Sequence, residues 1–433
     1  MTTTESPALT PALTVIPAHV PPHLVRNADL WAEISAAGQD AHARAAALHQ
    51  ETPPIFYVPQ LGYLPGCWVP RRADDLRQIL QDTETFSSRG VMPFAQMLGE
   101  TWSMIPIEVD PPDHAKFRAL LNPLFAPKRV DALEASIREQ ASALIAGFAA
   151  RGHCDFNAEF ADPFPALIFL RLMGWETSEA ERFVAWTHAI VKGTDMQQVV
   201  GAVMQVRDYL RQRIAERRLN PGEDFTSSLL TSQVDGRALT DDEVFGICFL
   251  VFIGGLDTVT SSLGFHFLHL ARHPEQQAEL RAHPERIPQA VEEMLRAYSI
   301  VNMRRLVTKD ITVGEATMKR GDLVLISTEF GNLDPEKYTD PATVDFSCAD
   351  APHMAFAYGV HRCVGSHLAR RELRIAIELW LQVLPPFSLV PERTVRVQAS
   401  GVFGVSNLHL EWPAPAPAPA PATTLTAASV RAA

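Results

Sequence analysis

One ten-residue stretch limits what this chain can become: Phe356-Ala-Tyr-Gly359-Val-His361-Arg-Cys363-Val-Gly365, running directly into Ser366-His-Leu-Ala-Arg-Arg-Glu-Leu-Arg. Two glycines let such a loop turn tightly and let a bulky group approach its backbone. Leu373, Ile377, Trp380 and Leu384 then recur at helical spacing, which predicts an amphipathic helix starting just after the loop. Cys363 would stand at that helix's N-terminus, where unpaired N–H groups and the helix dipole favour a thiolate. No second cysteine or histidine lies at zinc spacing, so zinc is a poor fit. A thiolate in a loop open to a large group suits haem.

The pattern Phe-x-x-Gly-x-His-x-Cys-x-Gly resembles the haem-binding loop of the cytochrome P-450 family, the haem-thiolate monooxygenases. The resemblance implies haem b as cofactor, with Cys363 as axial ligand of its iron and Phe356, His361 and Gly365 around it. It also implies a mainly α fold with small β-sheets, a helical prism enclosing the haem.

Composition agrees with a large soluble body. Hydrophobic residues make up 47% of the 433, and 38 basic residues against 50 acidic leave a net charge of -12. That balance argues against a nucleic-acid or anionic-membrane partner. Five widely spaced cysteines fit a reducing compartment rather than a disulfide framework. The start carries no secretion signal, and the most apolar stretch, Ile247 onward to Asp257, is too short for a bilayer span of about 20 residues. A cytoplasmic location is expected.

Residues 1–21 read as a loose arm, 22–412 as one folded domain, and 413–433 as a Pro/Ala-rich low-complexity tail. Within the domain, 130–150, 197–217 and 288–298 carry helical periodicity. Residues 311–313 and 322–327 flank the turn-like Lys319-Arg-Gly321 and suggest a short hairpin, and Cys67-Trp-Val another strand.

Thr240-Asp-Asp-Glu243 has capping-box spacing and opens the longest helical stretch, ending near His273-Pro274. Inside it, Gly254 and Gly255 each cost a helix roughly 1 kcal/mol relative to alanine. Either tight helix packing or a flat ligand lying on the backbone explains them. A threonine in the same turn can bond back to a carbonyl and bend the helix. In the resembled family this Gly-Gly-x-Asp-Thr segment crosses the haem, and its acid–alcohol pair relays the protons needed to split dioxygen. The resemblance gives Asp257 and Thr258 those catalytic roles.

Haem carries two propionates, which call for converging donors. By resemblance these are His114 and Arg118, spaced i,i+4 after Asp110-Pro-Pro, with Arg305 and His361. Glu293-Met-Leu-Arg296 matches the family's structural Glu-x-x-Arg pair, whose usual third basic partner is replaced here by Cys348. The chain is most similar to the bacterial branch whose members receive electrons from a [2Fe-2S] ferredoxin and an NADH-dependent ferredoxin reductase. No nucleotide-binding fingerprint of its own is present, so electrons must come from outside. Arg72, Lys116, Arg118, Arg362 and Arg370 are candidates for a basic docking patch. The branch's pocket positions fall on Trp102, Leu250, Ile253, Val301, Val402 and Phe403, an apolar lining with Trp102 as its polar donor. A compact hydrophobic substrate is expected, a monoterpenoid such as camphor or cineole, or a norisoprenoid.

A thiolate-haem sensor and a haem-thiolate peroxygenase needing no ferredoxin are the alternatives. The acid–alcohol pair speaks against both, and no sensory output domain is visible in the sequence.

Overall fold

The computed structural model describes residues 16–62, 64–193, 195–347 and 352–414. Most of the expected tail, the first fifteen residues of the arm and Cys348 lie outside these. The described chain is mainly helical with small sheets, as expected.

The helices that build the site begin where the sequence supplies a start signal. Helix α1 (Asp113–Leu121) follows Pro111-Pro112 directly, and α2 (Pro127–Phe148) and α3 (Pro163–Met173) each carry proline in the first turn. Helix α4 (Ala180–Thr187) continues into a π-helical turn, His188–Lys192, and α5 (Met196–Leu219) comes after it. Helix α6 (Asp241–Arg272) runs 32 residues from the expected capping box, in which Thr240 and Glu243 satisfy each other's backbone N–H groups. Helices α7 (Ile287–Ala297) and α8 (Ser366–Val383) complete the set.

Helix α6 is the spine. By length and composition it could cross a membrane, yet 67% of its apolar window is buried inside the protein. It packs against α3, α5, α8 and the short strand Gly404–Ser406.

The principal sheet has five strands, β1 (Ile55–Leu61), β2 (Leu64–Pro70), β3 (Phe86–Ser87), β4 (Asn302–Val307) and β5 (Leu323–Ser327), in the order β1-β2-β5-β4-β3. The expected strand at Cys67–Val69 lies in β2. The expected hairpin does not form. Ile311–Val313 pairs instead with Ala316–Met318, while β5 pairs with β4 in the register Val324↔Arg305. Almost every residue of β5 is buried, and a strand covered on both faces needs neighbours on both edges. Its other neighbour is β2, in parallel at Val324↔Trp68.

Two apolar clusters form the core. The larger is built around Trp380, Phe156, Phe160 and Phe267, the smaller around Phe183, Phe249 and Phe252. Where they meet, the packing leaves a cavity.

Candidate active site

The loop before α8 is shaped by its glycines. The Cys363 N–H donates to the Phe356 carbonyl at 2.9 Å, and Ala357 and Gly359 take positive φ values of 58° and 70°. A Cβ on Gly359 would also lie 2.7 Å from the Leu80 carbonyl oxygen, so glycine is required there twice over. The Arg370 guanidinium sits 4.4 Å from the centre of the Phe356 ring.

Helix α8 starts without a side-chain cap. The Gly365 N–H points at the Cys363 sulfur, and the Arg118, Arg370 and Arg362 charges also favour its thiolate; burial outweighs them and pushes the thiol up. The helix terminus alone therefore does not make the expected thiolate. A bound metal cation would, since a coordinating thiol is deprotonated outright. The accessible surface of Cys363 opens into the cavity.

That cavity offers about 280 Å³ to the centre of a water molecule. One wall is the loop and the start of α8, with Phe356, Cys363, Gly365 and Leu368; another is α6, with Leu250, Gly254, Gly255 and Thr258. A Cβ on Gly254 or Gly255 would meet nothing within 4 Å, whereas one on Gly246 would lie 2.0 Å from the Ser103 carbonyl oxygen. Gly246 is thus the packing glycine of α6, and the adjacent pair instead thins the cavity wall for a flat ligand. The Thr258 hydroxyl bonds back to the Gly254 carbonyl at 2.7 Å.

Asp257 is 1% exposed, and both its oxygens lack hydrogen-bond partners. Burial pushes its carboxyl up to about 6, against the opposing charges of Lys192 and His188. The nearest of these, the Lys192 ammonium, lies 3.9 Å away.

His114, Arg118 and His361 all line the cavity, the two histidine rings lying 4.3 Å apart. Burial and the neighbouring guanidiniums push His114 down to about 4 and His361 down to about 3. Arg305 is 2% exposed; its Nε and one terminal nitrogen lack partners, and burial pulls it down to about 10. The His114 Nε2 is likewise unpartnered. A buried guanidinium with unsatisfied donors is costly without an anion. Arg305 is not among the cavity's lining residues, though its charge acts on His361, which is; with His114, Arg118 and a thiol facing a slot walled by glycines, the set fits a porphyrin bearing two propionates.

Other expectations fare unevenly. Leu250 and Val301 line the cavity, but Trp102, Ile253, Val402 and Phe403 are not among its lining residues. The Trp102 indole N–H donates to Glu100 at 2.7 Å and the ring packs against Phe245 and Phe249, so its donor is already used. Phe403 is buried in the larger cluster beside His42, and Val402 bridges to Val301. The residues that take their place include Ile105 and Ile107 and, from α3, Ile168, Phe169 and Leu172. Helix α3 is apolar nearly all round, so no periodicity could single out its cavity face.

Glu293 and Arg296 form the expected buried pair at 2.7 Å, each 4% exposed. All five Arg296 donors are used, on Glu293 and on the carbonyls of Asn332, Pro341 and Thr343. A backbone N–H, that of Asp345, reaches Glu293 at 3.1 Å in place of the expected third side chain. The basic docking patch is largely neutralised: Arg72 pairs with Glu336, Lys116 with Asp235 and Arg370 with Glu292, and Arg118 turns into the cavity.

Comparison with known proteins agrees with this site. A family model described as "Cytochrome P450" matches residues 176–400. The "Probable cytochrome P450 127A1" of Sinorhizobium fredii is 42% identical over 403 residues, 92% of this chain and 97% of that protein. The "Nocardicin C N-oxygenase" of Nocardia uniformis is 30% identical over 86% of this chain and 96% of its own length. The crystal structure of CYP101J2 superposes with a TM-score of 0.83 at 32% identity, covering 93% of this chain and all of that one; CYP101C1 gives 0.83 at 33% over 92%. With a thiol-bearing loop, a glycine-walled cavity and this degree of likeness, the chain belongs to the cytochrome P-450 family: a haem b-dependent monooxygenase that uses dioxygen and an electron-transfer partner.

Proposed function

We propose that this monooxygenase works in the cytoplasm and hydroxylates a compact hydrophobic substrate of monoterpenoid or norisoprenoid size, such as camphor or cineole. Its electrons come from a [2Fe-2S] ferredoxin reduced by an NADH-dependent reductase. The observation that carries the substrate reading is the apolar lining contributed by Ile105, Ile107, Phe169, Leu250 and Val301. A pocket of that kind selects by shape and displaces water from the reacting carbon.

Cys363 would hold the haem iron, and His114, Arg118, Arg305 and His361 the propionates. Bound there, haem supplies the activation of dioxygen and insertion of one oxygen atom into a C–H bond. Gly254 and Gly255 leave room for it beside α6. The Thr258 hydroxyl, in its rotamer bonded to the Gly254 carbonyl, presents its oxygen lone pairs to the cavity and can accept or pass on a proton. Asp257 stores that proton one residue away: a carboxyl held near 6 is partly protonated close to neutrality. Rotation of its side chain carries the proton from the Lys192 side of the helix towards Thr258.

Titration of the ferric protein with camphor, cineole and a norisoprenoid should convert low-spin to high-spin haem. Three unchanged spectra would remove the substrate reading. With ferredoxin, reductase and a binding terpenoid present, NADH use should track product, and Thr258→Ala should divert it to peroxide. Coupling that survives this change would refute the role of Thr258.

A further inference from the structure

Asp257 does not have Lys192 to itself. The same ammonium lies 3.9 Å from an Asp257 oxygen and 3.9 Å from an oxygen of Asp162, so one cation stands between two carboxylates and hydrogen-bonds neither. Asp162 is also buried, its side chain 6% exposed, and its second basic neighbour is His188, whose Nε2 lies 3.0 Å from Oδ1 without hydrogen-bond geometry. The His188 side chain is 41% exposed, whereas Asp257 is sealed inside.

The backbone brings these groups together through two π-helical turns. One, Asn157–Ala161, ends directly before Asp162 at the start of α3; the other, His188–Lys192, places its first and last side chains on the same carboxylate. Such turns insert an extra residue into a helix and re-aim the side chains beyond it, and they recur at functional sites. Charged neighbours on the packed elements are committed elsewhere: Arg182 to Glu179, and Arg207 to Glu100. The strand Gly404–Ser406, across α6, carries no charge. Lys192, His188 and Asp162 are the charged groups that act on Asp257.

We propose that Asp162 is a positioning residue that competes with Asp257 for the Lys192 ammonium, and that His188 sets the outcome of the competition. This rests on the reading of Asp257 as the proton carrier. A protonated His188 satisfies Asp162, leaving Lys192 to Asp257 and holding that carboxyl ionised. A neutral His188 leaves Asp162 to draw Lys192 away, and Asp257 keeps a proton to deliver. The device couples a solvent-facing imidazole to a buried acid through one mobile cation, without a continuous chain of hydrogen bonds.

The test reads the Asp257 carboxyl itself, in haem-loaded ferric protein without substrate. Its infrared carbonyl band is isolated by difference against Asp257→Asn and tracked with pH. Asp162→Asn frees Lys192 for Asp257 and removes a repelling charge, so the band should titrate lower by about one pH unit or more. His188→Gln should move it the opposite way, and the double variant should be less than additive, because His188 acts through Asp162. Shifts of the same sign, full additivity, or no shift in either single variant would overturn the proposal. The underlying reading is tested separately: if Asp257→Asn leaves NADH use coupled to product, Asp257 is not the carrier, whatever the band does.

Discussion

At the scale of single residues, the site keeps two kinds of unsatisfied group. Arg305 retains buried donors and His114 a buried ring nitrogen without partners, and Asp257 retains a carboxyl that burial makes harder to ionise. The second has a measurable cost. The Asp257 carboxyl is raised from 3.8 to about 6, so the unfolded chain loses this proton first as pH rises. Stability is therefore undiminished below pH 3.8, falls as pH climbs towards about 6, and stays reduced above it by about 3 kcal/mol. Asp257→Asn should raise the thermal midpoint above that window and change it little below, while uncoupling NADH use. An equal shift at both ends would show that ionisation is not the cause. Asp257, Thr258 and Cys363 could be singled out from sequence because each lies in a short contiguous pattern. Trp102 could not be judged that way: what disqualifies it is Glu100 taking its N–H, a contact decided by how the loop folds.

At the scale of elements, α6 separates two uses of glycine that look alike in a string of letters. Gly246 lets the Ser103 backbone touch the helix, whereas Gly254 and Gly255 face open space. Gly246→Ala should lower the thermal midpoint of the protein with or without haem. Gly254→Ala should stabilise the haem-free protein, by up to about 1 kcal/mol, and weaken haem retention, measured as the rate of haem transfer to apomyoglobin. Retention unchanged by Gly254→Ala would mean that the pair does not make room for the porphyrin. The sheet teaches the complementary lesson. Turn chemistry at Lys319-Arg-Gly321 points to a local hairpin, but Leu323–Ser327 is a central strand, and burial on both faces chose Asn302–Val307 and Leu64–Pro70 as its neighbours.

At the scale of the whole molecule, Arg296 ties α7 to the chain between Asn332 and Thr343 through five donors, one buried carboxylate and three carbonyls. Removing one partner of such a pair leaves a buried charge uncompensated, at a cost of about 3–5 kcal/mol. Arg296→Ala should therefore reduce the folded, haem-loaded yield sharply, and Glu293→Gln should do so less, because an amide still accepts from the guanidinium and from the Asp345 N–H. Equal losses would mean that charge, not hydrogen bonding, holds this junction.

What the chain's letters determined by themselves was local. The thiol loop, the capping box, the glycine pair and the acid beside the alcohol each depend on residues a few positions apart, and turn or helix geometry fixes such neighbours. Tertiary structure alone decided which side chains reach the cavity, which strand lies beside Leu323–Ser327, and that Lys192 is shared by Asp162 and Asp257. Those contacts join segments tens to hundreds of residues apart, and packing, burial and the pairing of buried charge select them only once the whole core has closed.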